Sequence, residues 1–366
     1  MTTTGPKPRP EVMAIAAYVP GEAKIAEVNR ILKLSANEGP FGPPPGAREA
    51  ALKAAAEMNR YPDGGSVELR KAIGVRFELD PARIVCGTGS DELIQHICHI
   101  YGGPGTDIVM SMHGFTMYQI AGTYAGSRVL KAPERNLTTH VDSLLAAVTP
   151  ETTIVFVANP NNPTGSLLPE SEMQRLRAGL RSDILLVLDS AYAEYVEAAD
   201  YDAGAKMVDA GDNTIMLRTF SKIFGLGGMR VGWGYGPPAV IDAINRVRGV
   251  FNVNLIAQAA AVAALGEAGW VEKSKAHNTL WRARLSAAME KVGVIAHPTE
   301  GNFILADFTT AARAAAADAF LKTRGIIVRA MGAYDLPHCL RVTVGTEEEC
   351  GLVAEALAAF MATQNG

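Results

Sequence analysis

Between about residues 67 and 248 the chain alternates short apolar runs with stretches whose apolar residues recur every three or four positions. RIVCG, DIVMSM, TTIVFVANP, DILLVLD, TIMLRTF and MRVGWGY read as strands, and ELIQHICHIY, VDSLLAAV and ESEMQRLRAGL as amphipathic helices between them. Strands that are apolar almost throughout are buried on both faces. Alternation with helices therefore predicts an α/β fold whose central sheet is mainly parallel, with helices on both sides. DILLVLD carries five consecutive apolar residues before its aspartate, which suits a central strand.

The texture changes after Arg248. An Ala-rich helix over about 255–268 leads into a second over about 273–290. VGVIAHP, GNFILADF, an Ala-rich helix, GIIVRAM, CLRVTVG and a closing helix follow, with Thr346 and Glu349 spaced as a capping box. This pattern predicts a large domain over 41–250 and a smaller α+β domain over 251–366. The Pro-rich segment 1–40 is expected to pack on the smaller one.

The length of 366 residues fits about two domains. Lys and Arg total 34 against 38 Asp and Glu, a net charge of −4, and no basic run is present. Such a chain has no general attraction for nucleic acid or an anionic membrane. The Ala-rich stretch Leu255–Leu265 is too short to span a bilayer, and the N-terminus lacks the apolar core of a signal peptide. Cys86, Cys98, Cys339 and Cys350 lie far apart, which argues against a disulfide scaffold, a redox dithiol or a zinc ribbon. A cytoplasmic protein is expected.

The chemistry concentrates at strand ends. Thr219-Phe-Ser-Lys-Ile-Phe-Gly-Leu-Gly-Gly-Met-Arg230 follows a strand. Phe220, Ile223 and Phe224 would desolvate Lys222, favouring the neutral amine that forms a Schiff base. Ser221 and Arg230 could meet at one phosphate. Asp189, ahead of Ser190, Ala191 and Tyr192, closes the ILLVL run, where parallel sheets bind ligands. It could keep a pyridinium nitrogen protonated, or simply cap the next helix. Val157-Ala-Asn-Pro-Asn-Asn-Pro-Thr-Gly165 closes another strand with turn-forming residues. Gly87-Thr-Gly-Ser-Asp-Glu92 bares backbone N–H groups at a helix start, as a phosphate cradle does.

In this order the motifs resemble those of fold-type I transferases dependent on pyridoxal 5'-phosphate (PLP), class II aminotransferases in particular. Ala17-Tyr-Val-Pro-Gly-Glu, Leu34-Ser-Ala-Asn-Glu-Gly-Pro, Arg60-Tyr-Pro-Asp, Gly325-Ile-Ile-Val-Arg and Cys339-Leu-Arg-Val-Thr-Val-Gly narrow the likeness to the histidinol-phosphate aminotransferase family. That resemblance implies reversible amino transfer between L-histidinol phosphate and 2-oxoglutarate in histidine biosynthesis. It gives Lys222 the Schiff base and the proton shuttle, and Asp189 the ring nitrogen. Asn162 and Tyr192 would bind the phenolic oxygen. The Ser90 and Asp91 amides, Ser221 and Arg230 would take the cofactor phosphate, and Phe115 would stack on the ring. Tyr18, Asn37, Arg329 and Arg341 would receive substrate, and Tyr61 would reach the neighbouring active site of a homodimer.

Phe115 stands where the family more often has tyrosine, and Gly39 where it more often has asparagine. Rivals within the fold are an aromatic amino-acid aminotransferase and a PLP-dependent phospho-amino-acid decarboxylase. A regulator built on an aminotransferase-like sensor would need a DNA-binding segment for which this N-terminus has neither length nor charge. His96 and His99, three apart, lack a third ligand motif, so no metal is expected. Gly232-Trp-Gly-Tyr-Gly reads as a glycine-rich strand end because its spacing does not match a dinucleotide fingerprint.

Overall fold

A computed structural model describes residues 5–15 and 30–364. Thirteen strands among them form three sheets. A short strand, β1 (Leu32–Lys33), precedes β2 (Ile84–Gly87), β3 (Asp107–Ser111), β4 (Arg128–Ala132), β5 (Thr152–Ala158), β6 (Leu185–Asp189), β7 (Thr214–Thr219) and β8 (Gly232–Tyr235). The last seven make one sheet in the order β2-β8-β7-β6-β5-β3-β4. β4, β3, β5, β6 and β7 run parallel, whereas β8 is antiparallel to both β7 and β2.

The six strands read from the sequence are all present. β4 went unread because it is an edge strand whose RVLKA sequence is only partly buried, so its apolar run is weak. By contrast every residue of β6 is buried, as a central parallel strand requires. Gly232-Trp-Gly-Tyr is a full strand rather than a strand end.

The second sheet combines β9 (Ile295–Ala296), β10 (Phe303–Asp307), β12 (Arg329–Ala330) and β13 (Cys339–Thr343) in the order β12-β13-β10-β9; β11 (Ile326–Ile327) pairs instead with β1. GIIVRAM is thus divided between two sheets at Val328. Thr346 and Glu349 cap the closing helix reciprocally, Thr346 N donating to Glu349 Oε2 at 2.8 Å and Glu349 N to Thr346 Oγ1 at 3.3 Å.

Two elements depart from the expected grouping. The helix Leu255–Gly266, capped by Asn254 Oδ1 accepting from Ala257 N, buries Ala257, Ala260, Ala261 and Ala264 with Ala47, Ala51, Leu69 and Ile73. Alanine lets these helices approach closely, so the helix shares a core with residues N-terminal to 250. The N-terminal segment also divides its contacts. β1 joins β11, but Arg9 donates to the Tyr124 carbonyl at 2.6 Å, on the side of the seven-stranded sheet. No helix among the described residues is long and apolar enough to cross a membrane.

Candidate active site

Parallel strands aim their carboxyl ends at one edge of the sheet, so the loops after β3, β5, β6 and β7 converge. They open onto a cavity of ≈ 1240 Å³ whose lining also includes Arg329, Tyr334 and Arg341. Asn37, Ser90, Asp91, Phe115, Asn162, Asp189, Tyr192, Ser221, Lys222, Arg230, Arg329 and Arg341 all line it. Sequence positions more than 300 apart therefore meet in one space. Tyr18 lies outside the described residues. Tyr61 is not among the lining residues; it is 81% exposed and stacks on Phe251 at 4.5 Å.

At one end of the cavity the helix Ser90–Tyr101 begins. Its first-turn N–H groups have no partner within the helix and carry the positive end of its dipole. Gly89, at φ +80°, brings the backbone up to Arg230. A Cβ there would lie 2.8 Å from Arg230 Nη2, and one on Gly232 would lie 2.5 Å from Ser90 N. Side chains are thus excluded around an opening bounded by N–H groups, the Ser221 residue and a guanidinium. This donor set suits a phosphate ester. Arg230 meanwhile pairs with Asp91 Oδ2 at 3.1 Å.

Lys222 Nζ donates to the Ala36 carbonyl at 3.2 Å. Burial, reinforced by the Arg341 charge, lowers its pKa from 10.5 to about 8. The loop that presents it turns at Gly225, φ +65°, where a Cβ would meet the Gly42 carbonyl oxygen at 1.9 Å. Only glycine fits there. Asp189, 5% exposed at the end of β6, accepts from Tyr118 Oη at 2.7 Å and from Ala191 N at 3.2 Å. Burial raises its pKa to about 6, against the opposing pull of the Tyr118 hydrogen bond. A buried carboxylate of this kind is poised for a cationic partner.

Tyr118 is the main residue that the sequence reading missed. It is fully buried, stacked on Phe156 at 4.4 Å and packed edge-on against Phe115 at 5.7 Å. Its position three residues after Phe115, one turn along the helix Thr116–Ala125, was the available signal. Tyr334, whose hydroxyl lies 3.4 Å from Thr116 Oγ1, also went unread.

Asn162 and Tyr192 line the cavity, yet their side chains are engaged elsewhere in it. Asn162 Oδ1 accepts from Arg341 Nη1, and Tyr192 Oη accepts from Asn37 Nδ2 at 2.8 Å. Asn37, at φ 57° and buried, also donates its N–H to Thr343 Oγ1 and accepts from Asn302 Nδ2. Arg341 is 7% exposed, gives Nη2 to the Ser35 carbonyl at 2.8 Å, and keeps Nε buried without a partner. Arg329 sits directly opposite it across the β12–β13 ladder. Like charges so placed, one of them unsatisfied, are costly unless an anion joins them.

His96 lies 3.6 Å from Glu92 and His99 packs on Tyr124, so neither addresses this cavity.

Comparison with known proteins agrees with this geometry. Residues 29–357 match the family model for aminotransferase class I and II. The histidinol-phosphate aminotransferase of Granulibacter bethesdensis is 59% identical over 359 residues, covering 98% of this chain and 97% of that protein. That of Paramagnetospirillum magneticum is 54% identical, covering 98% and 99%. Among solved structures, histidinol-phosphate aminotransferase from Sinorhizobium meliloti in complex with pyridoxal-5'-phosphate superposes with a TM-score of 0.91. It is 29% identical, and all of both chains is covered.

Proposed function

The chain belongs to the class I and II aminotransferases and is a PLP-dependent transaminase, and on that premise we propose that it exchanges an amino group between L-histidinol phosphate and 2-oxoglutarate in histidine biosynthesis. The observation that carries the substrate is the opposed pair Arg329 and Arg341, with a buried unpartnered Nε, lining the same cavity as the Gly89–Arg230 cradle. One cavity then holds two anion sites, one for the cofactor phosphate and one for the substrate's phosphate or a glutamate carboxylate. Planar guanidinium forks serve both substrate anions.

When bound, PLP supplies an aldehyde carbon to take the amino group and a ring to accept the electron pair left when the substrate's Cα–H bond breaks. The chain's residues do the rest. Lys222 Nζ would hold the cofactor through that aldehyde carbon and would take up the proton leaving the substrate α-carbon. Asp189, oriented by Tyr118 and Ala191 N–H, keeps a proton on the ring nitrogen. Phe115 packs on the ring face. The Ser90 and Asp91 amides, Ser221 and Arg230 grip the phosphate. Asn162 and Tyr192, held here by Arg341 and Asn37, would bind the ring oxygen, and Asn37 would border the substrate.

The assembly is a homodimer in this reading, with the exposed Tyr61 reaching the partner's cofactor phosphate. Four buried cysteines without a disulfide suit a reducing cytoplasm.

A half-reaction screen tests the substrate. Holoenzyme mixed separately with histidinol phosphate, phenylalanine and glutamate is expected to lose its cofactor absorbance fastest with histidinol phosphate. Equal rates with phenylalanine would favour an aromatic aminotransferase, and carbon dioxide release would favour a decarboxylase. Arg341→Lys keeps the charge but loses the fork, so kcat/KM for histidinol phosphate should fall about 10–100-fold. The loss for phenylalanine should be smaller, since it brings no phosphate; equal losses count against the assignment.

The low pKa of Lys222 carries a second expectation. In cofactor-free protein the neutral amine becomes dominant above about pH 8 instead of 10.5. Capture of PLP, followed by stopped-flow absorbance, should therefore accelerate with pH through about 8 and then level off. A rise continuing beyond pH 10 would mean that the amine is not desolvated.

A further inference from the structure

Apart from the cavity, one group of side chains combines donor types that a structural fold does not require together. In the four-stranded sheet Asp307, at the end of β10, pairs in register with both Ile295 on β9 and Cys339 on β13. Residues directly opposite in an antiparallel ladder share a face, and so do residues two apart on a strand. His297, whose N–H continues the ladder to the Leu305 carbonyl at 3.0 Å, therefore lies on the same face as Asp307 and Cys339. A His nitrogen, an Asp oxygen and the Cys339 sulfur all lie within 4.8 Å of one another. His338, immediately before β13, brings Nε2 to 3.9 Å from Asp307 Oδ2.

We propose that His297, Asp307 and Cys339, with His338 beside Asp307, form a binding site for a zinc-class divalent cation. The donor set decides the class. Thiolate, imidazole and carboxylate together suit zinc and its neighbours in the first transition row, whereas magnesium and calcium take oxygen ligands. Tetrahedral zinc, with bonds of about 2.0–2.3 Å, spaces its ligand atoms roughly 3.3–3.8 Å apart. The three donors need to close by only about 1 Å to reach that spacing.

A second observation points the same way. His297 Nε2 is buried with no hydrogen-bond partner, although Asp307 Oδ2 stands 3.5 Å away. An ordinary His–Asp ion pair would satisfy that nitrogen, whereas a cation seated between the two groups would satisfy both. Asp307 Oδ1 accepts from Thr309 N at 2.6 Å, which orients the carboxylate and leaves its other oxygen for the site.

The consequence reaches the cavity through one strand. Cys339 opens β13, which carries Arg341 two residues later on the same face, and its carbonyl accepts from Met331 N next to β12. A cation bridging β9, β10 and β13 fixes the strand from which Arg341 faces Arg329. Because the three donors stand apart from the cavity lining, the site does not depend on which substrate the enzyme takes.

Cobalt(II) titration of chelator-treated holoenzyme tests the proposal. One equivalent per chain should produce visible ligand-field bands and a near-ultraviolet thiolate-to-cobalt band, both lost on adding zinc. Cys339→Ser should remove the thiolate band. Should burial of Cys339 make that variant unstable, His297→Gln, at a partly exposed side chain, serves instead. It should weaken binding at least as much as loss of an outer hydrogen-bonding partner does, about 10–100-fold. Zinc should also raise the melting temperature of the wild type and not of His297→Gln. Absence of the cobalt bands, or bands and affinity unchanged in both variants, overturns the site.

Discussion

Lys222→Ala abolishes sustained turnover while leaving the fold in place. Lys222 is the only amine assigned to both the aldehyde carbon and the substrate α-proton, and proton transfer by a positioned group alone is worth about 10²–10⁴-fold. With both roles lost, kcat should fall by at least about 10⁴-fold. The side chain stands in the cavity wall and makes one hydrogen bond, to the Ala36 carbonyl. Its removal therefore costs the core little, and circular dichroism and the melting curve should match those of the wild type. An added small amine could replace part of the lost proton transfer. Near-normal steady-state turnover in the purified variant would remove Lys222 from the chemistry.

Asp189→Asn should move activity and stability in opposite directions. An asparagine can still accept from Tyr118 through Oδ1, so the geometry is largely kept, but it cannot stabilise a protonated ring nitrogen. The expected loss in kcat is about 10²–10⁴-fold.

The sign of the stability change follows from the raised pKa. Between its ordinary value of 3.8 and about 6 the folded chain holds a proton that the unfolded chain has released. Stability from this group is therefore greatest below pH 3.8 and falls as pH rises to about 6. Above pH 6 the ionised carboxylate costs up to about 3 kcal/mol in the cofactor-free protein. Asparagine avoids that cost but loses the Ala191 hydrogen bond, worth roughly 1 kcal/mol. Cofactor-free Asp189→Asn should then be about 1–2 kcal/mol more stable at pH 7.5, with no gain at pH 4. Denaturant melts at the two pH values check this. A variant destabilised at pH 7.5 would mean that the carboxylate is held by something other than a missing cation.

Much of the site could be read in advance because it is built at strand ends. A strand that closes with Asp189 or leads into Ser221-Lys222 delivers its next few residues to the same sheet edge whatever the rest of the chain does. The glycine positions were legible only in part. Gly89 was legible as part of a turn that bares N–H groups, but the close approach of Gly225 to the Gly42 carbonyl was not, because that partner is far away in the chain.

Residues whose role depends on distant partners were harder. Tyr118 looks like one more aromatic residue on an amphipathic helix until the fold brings its hydroxyl to a carboxylate 71 positions away. Asn162 was assigned to the cofactor, but what it touches is Arg341, 179 residues on. The alanine face of Leu255–Gly266 gave no sign of which neighbouring helices it would meet, because alanine packs closely against many surfaces.

The amino-acid order by itself determined the α/β alternation, the strand ends that carry Asp189 and Lys222, the capped closing helix and the identity of the chemical groups. These depend on periodicity and turn chemistry within a dozen residues. Only the tertiary structure decided the antiparallel β8, the split of GIIVRAM between two sheets, the opposition of Arg329 to Arg341 and the convergence of His297, Asp307 and Cys339. Each of these is a matter of register between strands far apart in the chain. Register is settled by which faces are buried together, a property of the assembled core and not of any local stretch.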